Sequence, residues 1–543
     1  MEVARDIAQR LSALRPVIRE ICNVAGVPGV SFGVAHQGQV VFRDNIGFRD
    51  MEQSIEPDSD TLYGIGSVSK IFTASAIGVL VDEGKLNWTT TIVSIIPELN
   101  SVDKSITEQL TIIDLLLHRT GLEKSNNWWF GSDGVLMLKK SQTVSSFNAL
   151  KQTSPFRNAF GYSNWSYTLI GEVIERLTGM TYGDFLQSRI FGPLQMERTT
   201  TKHTSQDSDN FAKPYAALDD KSLYLLPPPP IQDDTIMTPA QGIQSSVNDL
   251  LKFSSALLAA RKGDQESPLK NVPKQFSGHI FRGNPFLDKS YGLGLMRTML
   301  PGTIGGGSNS IYTKLPVITP GPDCNARLIT FHGGSQAGYT SFFTMVPEAD
   351  ISIVVLTNSI GLADPAGWIN ELLVETMLES AHQTNFVHLA TEAANNAIAS
   401  IPNMENSLEQ AREPNAPPTH SLDEFVGRYI NIGHEFIVEI RKKDESTLQV
   451  AFQGLDSQVW DLRHYQHDTF IWLSSRDHIV KRARFPFAGK DVYTLIFQSS
   501  ADGAVKGLLW PHEPGLPVKE QFFHKLGGAR VPENEAQQPL KAV

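Results

Sequence analysis

TLYGIGSVSKIFTASAIGVLVDEG, residues 61–84, decides how the rest of the chain is read. A glycine-bearing turn (Gly64, Gly66) runs into Ser67. The apolar run Ile71, Phe72, Ala74, Ala76, Ile77, Val79, Leu80 and Val81 then predicts a helix that stops at Gly84. With the helix starting at Ser67, Lys70 falls one turn later on the same face, within reach of the serine hydroxyl. The first turn of a helix also presents unpaired N–H groups and partial positive charge to that oxygen. A serine becomes a nucleophile when a neighbouring base takes its proton. A buried lysine qualifies, because desolvation disfavours its charged form. The tetrad alone is unspecific: Ser-x-x-Lys recurs at Ser101–Lys104 and Ser267–Lys270, and a serine at a helix start often serves only as an N-cap.

Composition narrows the class. The chain has 543 residues, 41% hydrophobic and 19% charged, which suits a globular protein of more than one domain. A net charge of −11 argues against nucleic acid or an anionic membrane as the main partner. Two distant cysteines, Cys22 and Cys324, exclude a disulfide framework and fit a reducing compartment. Neither Cys-x-x-Cys nor His-Glu-x-x-His occurs, so no metal or other cofactor is expected. The first 26 residues lack the apolar core of a secretion signal, and no later window approaches the ~18 apolar residues of a membrane span. A cytoplasmic location is the default expectation.

Along the chain, residues 3–24 read as an amphipathic helix and GVSFGVAHQGQVVFRDNIGF (29–48) as a hairpin about Gln37-Gly38. LTIIDLLLHRTGL (110–122) reads as a short helix. Residues 123–158 read as irregular and carry Trp128, Trp129 and Phe130, which either wall a pocket or enter the core. A loop at 160–163 leads into a helix ending at Gly179. Residues 200–241, with Pro227–Pro230, read as a long surface excursion, and 246–261 as a helix. Three consecutive strands are expected within 327–359 and a closing helix at 364–381. A linker at 412–420 separates this domain (1–411) from a small all-β domain (421–530), a barrel or sandwich, followed by a disordered tail at 531–543.

Two further elements bear on Ser67. Tyr162-Ser163-Asn164 places a phenol and an amide at a loop-to-helix boundary, where tyrosine and lysine together can serve a serine nucleophile. His332-Gly333-Gly334-Ser335 ends a predicted strand; its glycines let a substrate lie against the strand, and the Ser335 N–H can stabilise an oxyanion. Each has a chance echo, at Tyr429-Ile430-Asn431 and His36-Gln37-Gly38. Their combination, order and flanks are far more specific.

Residues 20–360 resemble the serine β-lactamase and penicillin-binding-protein superfamily, especially its class C-like branch of esterases, D-aminopeptidases, DD-peptidases and fungal transesterases. The likeness extends through GVPGVSFGVAHQGQVV, TLYGIGSVSK, LTIIDLLLHRTGL, GYSNWSYTLIGEVIERLTG, GIQSSVNDLLKF, YGLGLM and HGGSQAGYTSFFTMVPE. It implies an α/β (α+β) β-lactamase/transpeptidase-like fold, an antiparallel sheet flanked by helices with an all-helical subregion. It implies Ser67 as nucleophile, with Lys70 and Tyr162 as its catalytic partners. Asn164 and His332–Gly334 would bind substrate, and the Ser67 and Ser335 N–H groups would hold the oxyanion. Many relatives have lysine where this chain has His332, a residue mostly neutral at pH 7, which disfavours β-lactam and peptidoglycan substrates.

The expectation is acyl transfer through an acyl-serine on a small-molecule ester, thioester or amide. Water would complete a hydrolase cycle, and another acyl acceptor that of a transferase of secondary metabolism. A non-catalytic scaffold is the third class, and a Gly-x-Ser-x-Gly esterase elbow is absent. Trp128, Trp129 and Tyr224 suggest a roomy aromatic site.

Overall fold

The alternation on either side of Gln37-Gly38 closes as expected. The two turn residues adopt positive φ (53° and 74°), the twist that a two-residue hairpin requires. They join β1 (Gly29–His36) to β2 (Gln39–Gly47). The computed structural model describes residues 2–202, 210–283, 289–305, 307–380 and 382–527. Six more strands complete the main sheet: β3 (Ile280–Phe281), β4 (Ser290–Tyr291), β5 (Met296–Met299), β6 (Leu328–Gln336), β7 (Tyr339–Val346) and β8 (Ile351–Thr357). Their spatial order is β2-β1-β8-β7-β6-β5-β4-β3, antiparallel throughout. Strands β6, β7 and β8 are buried along almost their whole length because both faces are covered. Helix Val247–Arg261 packs on β1 and β8, and helix Pro365–Met377 on β7 and β8.

Several expectations need correction. The single helix expected at 3–24 is two, Glu2–Ser12 and Arg15–Ala25, with Pro16 in the first turn of the second. The helix after Ser67 begins at Ser69; Gly66–Val68 form a 3₁₀ turn before it. The 200–241 stretch is not simply a surface excursion. Tyr215–Ala217 and Thr238–Gln241 are buried, and residues 203–209 lie outside the described set. Strands β3 to β5 had no sequence signal, being two to four residues long.

The chain divides into two compact units: 1–411 with 474–489, and 412–473 with 490–543. The second is a closed eight-stranded antiparallel barrel, so the all-β expectation resolves to a barrel rather than a sandwich. Its strands are Gly427–Asn431, Ile437–Lys442, Leu448–Phe452, Val459–Gln466, Thr469–Ile471, Thr494–Ser499, Val505–Leu509 and Phe522–Lys525; the first pairs with the last. Phe425, Tyr429, Phe436, Phe452, Trp472 and Trp510 are buried in this unit. The tail expected at 531–543 lies outside the described residues.

Residues 474–489 connect two barrel strands yet belong to the first unit. Their helix Arg476–Lys481 contributes Val480, and the turn after it Ala483, to a buried cluster with Ala216, Leu218, Leu226, Ala337 and Ile360; Phe130 and Phe485 pack against it. Arg476, 1% exposed, donates to the Ala217 carbonyl (2.9 Å), Asp219 Oδ1 (3.1 Å) and the Gly361 carbonyl (3.3 Å). Among the described residues, no helix is long and apolar enough to cross a membrane.

Candidate active site

Ser67 sits in the 3₁₀ turn Gly66–Val68, and the helix that follows is buried on every side from Ser69 to Leu80. Such a helix is fixed by packing, as in the stacked rings of Phe72 and Phe253 (3.8 Å). Lys70 is buried within it. Its Nζ donates to Asn164 Oδ1 and to the Ala240 carbonyl, both at 2.8 Å, and lies 3.1 Å from Ser67 Oγ. Burial holds its pKa well below the ordinary lysine value. A neutral amine has two hydrogens and one lone pair. The two carbonyl oxygens take the hydrogens, which leaves the lone pair for the Ser67 hydroxyl.

Asn164 is the first residue of helix Asn164–Thr178. Its Nδ2 donates to Asn126 Oδ1 (3.1 Å), which also accepts from Trp129 Nε1 (3.2 Å). Those contacts fix the amide so that its oxygen faces Lys70. Tyr162 precedes that helix, with its ring centre 4.9 Å from Lys70 Nζ and its side chain on the wall of the cavity that Ser67 lines. Burial raises the phenol pKa, so Tyr162 stays protonated through the neutral range.

Strand β6 carries His332, Gly333, Gly334 and Ser335 past this turn. Gly66 has φ of 50°, and a Cβ there would stand 2.6 Å from the Ser335 nitrogen. The turn and the strand therefore run backbone against backbone, bringing the Ser67 and Ser335 amides to one place. His332 is neutral: burial first, then the charge of Lys70, pushes its pKa down to about 3. Its Nδ1 donates to the Gly333 carbonyl (2.7 Å) and its Nε2 faces Tyr291 Oη at 3.5 Å. On the other side of Tyr291 lies His118 Nε2, at 3.3 Å. His118 Nδ1 accepts from the Ser163 N–H (3.1 Å), so its proton is on Nε2, directed at Tyr291. Burial, then Lys70, keeps His118 neutral as well.

Of the sequence candidates, Ser67, Lys70, Tyr162, Asn164 and the 332–335 strand converge. Ser67, Tyr162, His332, Gly333 and Ser335 line one cavity of about 480 Å³. Trp128 and Trp129 do not line it. Each is 3% exposed, and Trp129 acts behind the wall by holding Asn126. Tyr224 stands 42% exposed on a short edge strand, so these three side chains do not wall the cavity as expected; its aromatic lining is Phe160, Tyr162 and Phe331. Four participants had not been singled out: Asn126, His118, Tyr291 and the Ala240 carbonyl. His118 and Tyr291 lie in quoted stretches of the likeness, whereas a backbone carbonyl leaves no mark in a sequence. No cluster of three or more His, Cys, Asp or Glu able to hold a metal occurs among the described residues.

A sheet flanked by helices, with its serine turn pressed on the inner strand, is the architecture of serine β-lactamases and penicillin-binding proteins. Residues 14–375 match the Beta-lactamase family, and the chain belongs to it. Residues 411–525 match a domain of unknown function (DUF3471). The chain is 23% identical over 546 residues to Unguisins hydrolase ungD' of Aspergillus campestris, covering 95% of this chain and 92% of that one. It is 24% identical to Protein flp of Staphylococcus aureus strain MW2 over 61% of this chain, and spans only 60% of that protein. Among solved structures, the octameric penicillin-binding protein homologue from Pyrococcus abyssi superposes with a TM-score of 0.53 at 21% identity, over 85% of this chain and 93% of that one.

Proposed function

We propose that this chain is a serine hydrolase that forms an acyl-enzyme on Ser67 from a small-molecule ester or amide. The observation that carries the reading is the Lys70 nitrogen, buried and counterion-free among its three neighbours, with its lone pair left to Ser67. Lys70 takes the Ser67 proton as Oγ attacks the carbonyl carbon. The oxyanion forms between the Ser67 and Ser335 N–H groups. Tyr162 donates its proton to the departing oxygen or nitrogen and recovers one from Lys70. Water then attacks the acyl-serine, its proton returning through Lys70, and releases the acid. A relative that matches nearly the whole length is a named hydrolase, which favours water as the acceptor.

Intact-protein mass after exposure to a serine-reactive phosphonate tests the scheme. One adduct mapping to Ser67, absent in Ser67→Ala together with aryl-ester turnover, is the expected result. Ester turnover surviving Ser67→Ala would overturn it.

A further inference from the structure

Behind the wall of the cavity, a chain of hydrogen bonds joins the loop of Tyr162 to the strand of Ser335. Its ends are backbone groups, whose roles are fixed. The Ser163 N–H can only donate, so His118 Nδ1 accepts it at 3.1 Å and the His118 proton stands on Nε2. The Gly333 carbonyl can only accept, so His332 Nδ1 donates to it at 2.7 Å and His332 Nε2 keeps its lone pair. Tyr291 Oη lies between these two Nε2 atoms, 3.3 Å from that of His118 and 3.5 Å from that of His332. A phenol can accept one hydrogen bond and donate one, so it fits there without a mismatch. The neighbouring Tyr167 hydroxyl donates elsewhere, to the Leu116 carbonyl at 3.0 Å.

His118 and Tyr291 are fully buried, whereas Tyr162 and His332 line the cavity. Neither buried residue is placed to touch a substrate. His118 also packs its ring on that of Tyr162, with centres 4.5 Å apart, and meets the Phe160 ring edge-on at 5.6 Å. A neutral imidazole has an acceptor on one side of a flat ring and a donor on the other, so one side chain makes both links and the ring contact. An imidazolium would instead turn a second N–H toward the Ser163 N–H. Burial first, then Lys70, holds the His118 pKa well below the ordinary histidine value, which keeps the ring in the form that the chain requires.

One end of the chain fixes the phenol that returns a proton to the leaving group, and the other fixes the strand that supplies an oxyanion donor. We propose that His118 and Tyr291 are positioning residues for acylation, tying the Tyr162 loop to the Ser335 strand so that proton donor and oxyanion site keep one spacing. The two longest links meet at the Tyr291 hydroxyl, which makes it the place to cut. Positioning of this kind is felt in the transition state, so its loss lowers the rate at saturation rather than substrate binding. The proposal rests on the reading of Ser67 as nucleophile, and its test separates the two.

His118→Asn and Tyr291→Phe remove the same link from opposite sides. Asparagine retains an acceptor near the Nδ1 position and has nothing at Nε2, and phenylalanine retains the ring without its hydroxyl. In acylation by 4-nitrophenyl acetate, read as 4-nitrophenolate release, each should lower the saturating rate about tenfold and leave half-saturation within about threefold. The double variant should be no more than about threefold slower than either, since both changes remove one link. Losses that multiply toward about a hundredfold, that fall on half-saturation alone, or that are absent from Tyr291→Phe overturn the proposal. Should His118→Asn not fold, nitrogen NMR of isotope-labelled histidines in wild type and Tyr291→Phe decides. One imidazole protonated on Nε2 and one on Nδ1 should both shift when the hydroxyl goes; spectra that stay alike overturn the chain of bonds. Wild type that takes no phosphonate on Ser67 and releases no 4-nitrophenolate overturns the nucleophile reading and this positioning together. A Ser67 adduct with variants as fast as wild type overturns the positioning alone.

Discussion

Lys70 has two carbonyl oxygens and one hydroxyl around its nitrogen, and no acid among them. Tyr162 and Tyr167 present ring faces at 4.9 and 5.5 Å, while His118 and His332 act on it as like charges when protonated. Burial therefore dominates, and the depressed pKa makes the neutral amine the working form. The sign follows: kcat/KM for a neutral aryl ester should fall as pH is lowered through the Lys70 pKa, an acid limb well below the usual lysine range. Lys70→Arg should lose activity about 10²–10⁴-fold, because a guanidinium does not give up its proton. A pH–rate profile of wild type and Lys70→Arg checks both. Tyr162→Phe should cost about 10²-fold or more with little change in stability, read by kcat and thermal melting together. Ser67 and Lys70 were legible because one helical turn encodes both. Ala240 and His118 were not, because their roles exist only after distant segments meet.

The elements that hold the site are fitted at two places. A Cβ on Gly334 would lie 2.0 Å from the Ile65 carbonyl oxygen and 2.3 Å from Ser341 Oγ, and these two atoms are themselves bonded at 2.8 Å. Neither neighbour can give way alone. Gly334→Ala should therefore lift the serine turn off β6 and lower kcat/KM by about 10²-fold, as a displacement near 1 Å does. The second place is the 126–134 loop. Arg484 donates to the Phe130 carbonyl (3.2 Å) and Asn127 Oδ1 (2.9 Å), and Arg482 binds Asp133 (2.8 Å). Asn126 at the head of that loop orients Asn164 and through it Lys70. Arg484→Ala should reduce kcat by about three- to tenfold and move the acid limb of the pH profile. Arg484→Lys should not restore it, since an ammonium lacks the fork. Hairpin, helices and central strands were readable from periodicity. The β3–β5 edge was not, because pieces this short take their structure from the neighbour they pair with.

At the scale of the molecule, the division in sequence and the division in space differ. Pro-rich residues 412–420 mark where the β domain starts, and alternating apolar residues mark most of its strands, but 474–489 reads as one more barrel loop. Its place in the first unit depends on partners more than 100 residues away: Ala217, Asp219 and Gly361 for Arg476, and the Ala216–Ile360 cluster for Val480 and Ala483. A chain ending at 411 would leave the Ala217 and Gly361 carbonyls without this donor and uncover the apolar cluster. Three hydrogen bonds contribute about 1 kcal/mol each, and burial of Val480 adds about 1.5–3 kcal/mol. The loss, about 4.5–6 kcal/mol, compares with a total stability of about 5–15 kcal/mol for a domain. The 1–411 chain should unfold at a markedly lower urea concentration than the full chain. Arg476→Met in the full chain should shift the midpoint part of the way. An unchanged midpoint for 1–411 would show that 474–489 rests on the catalytic unit without supporting it.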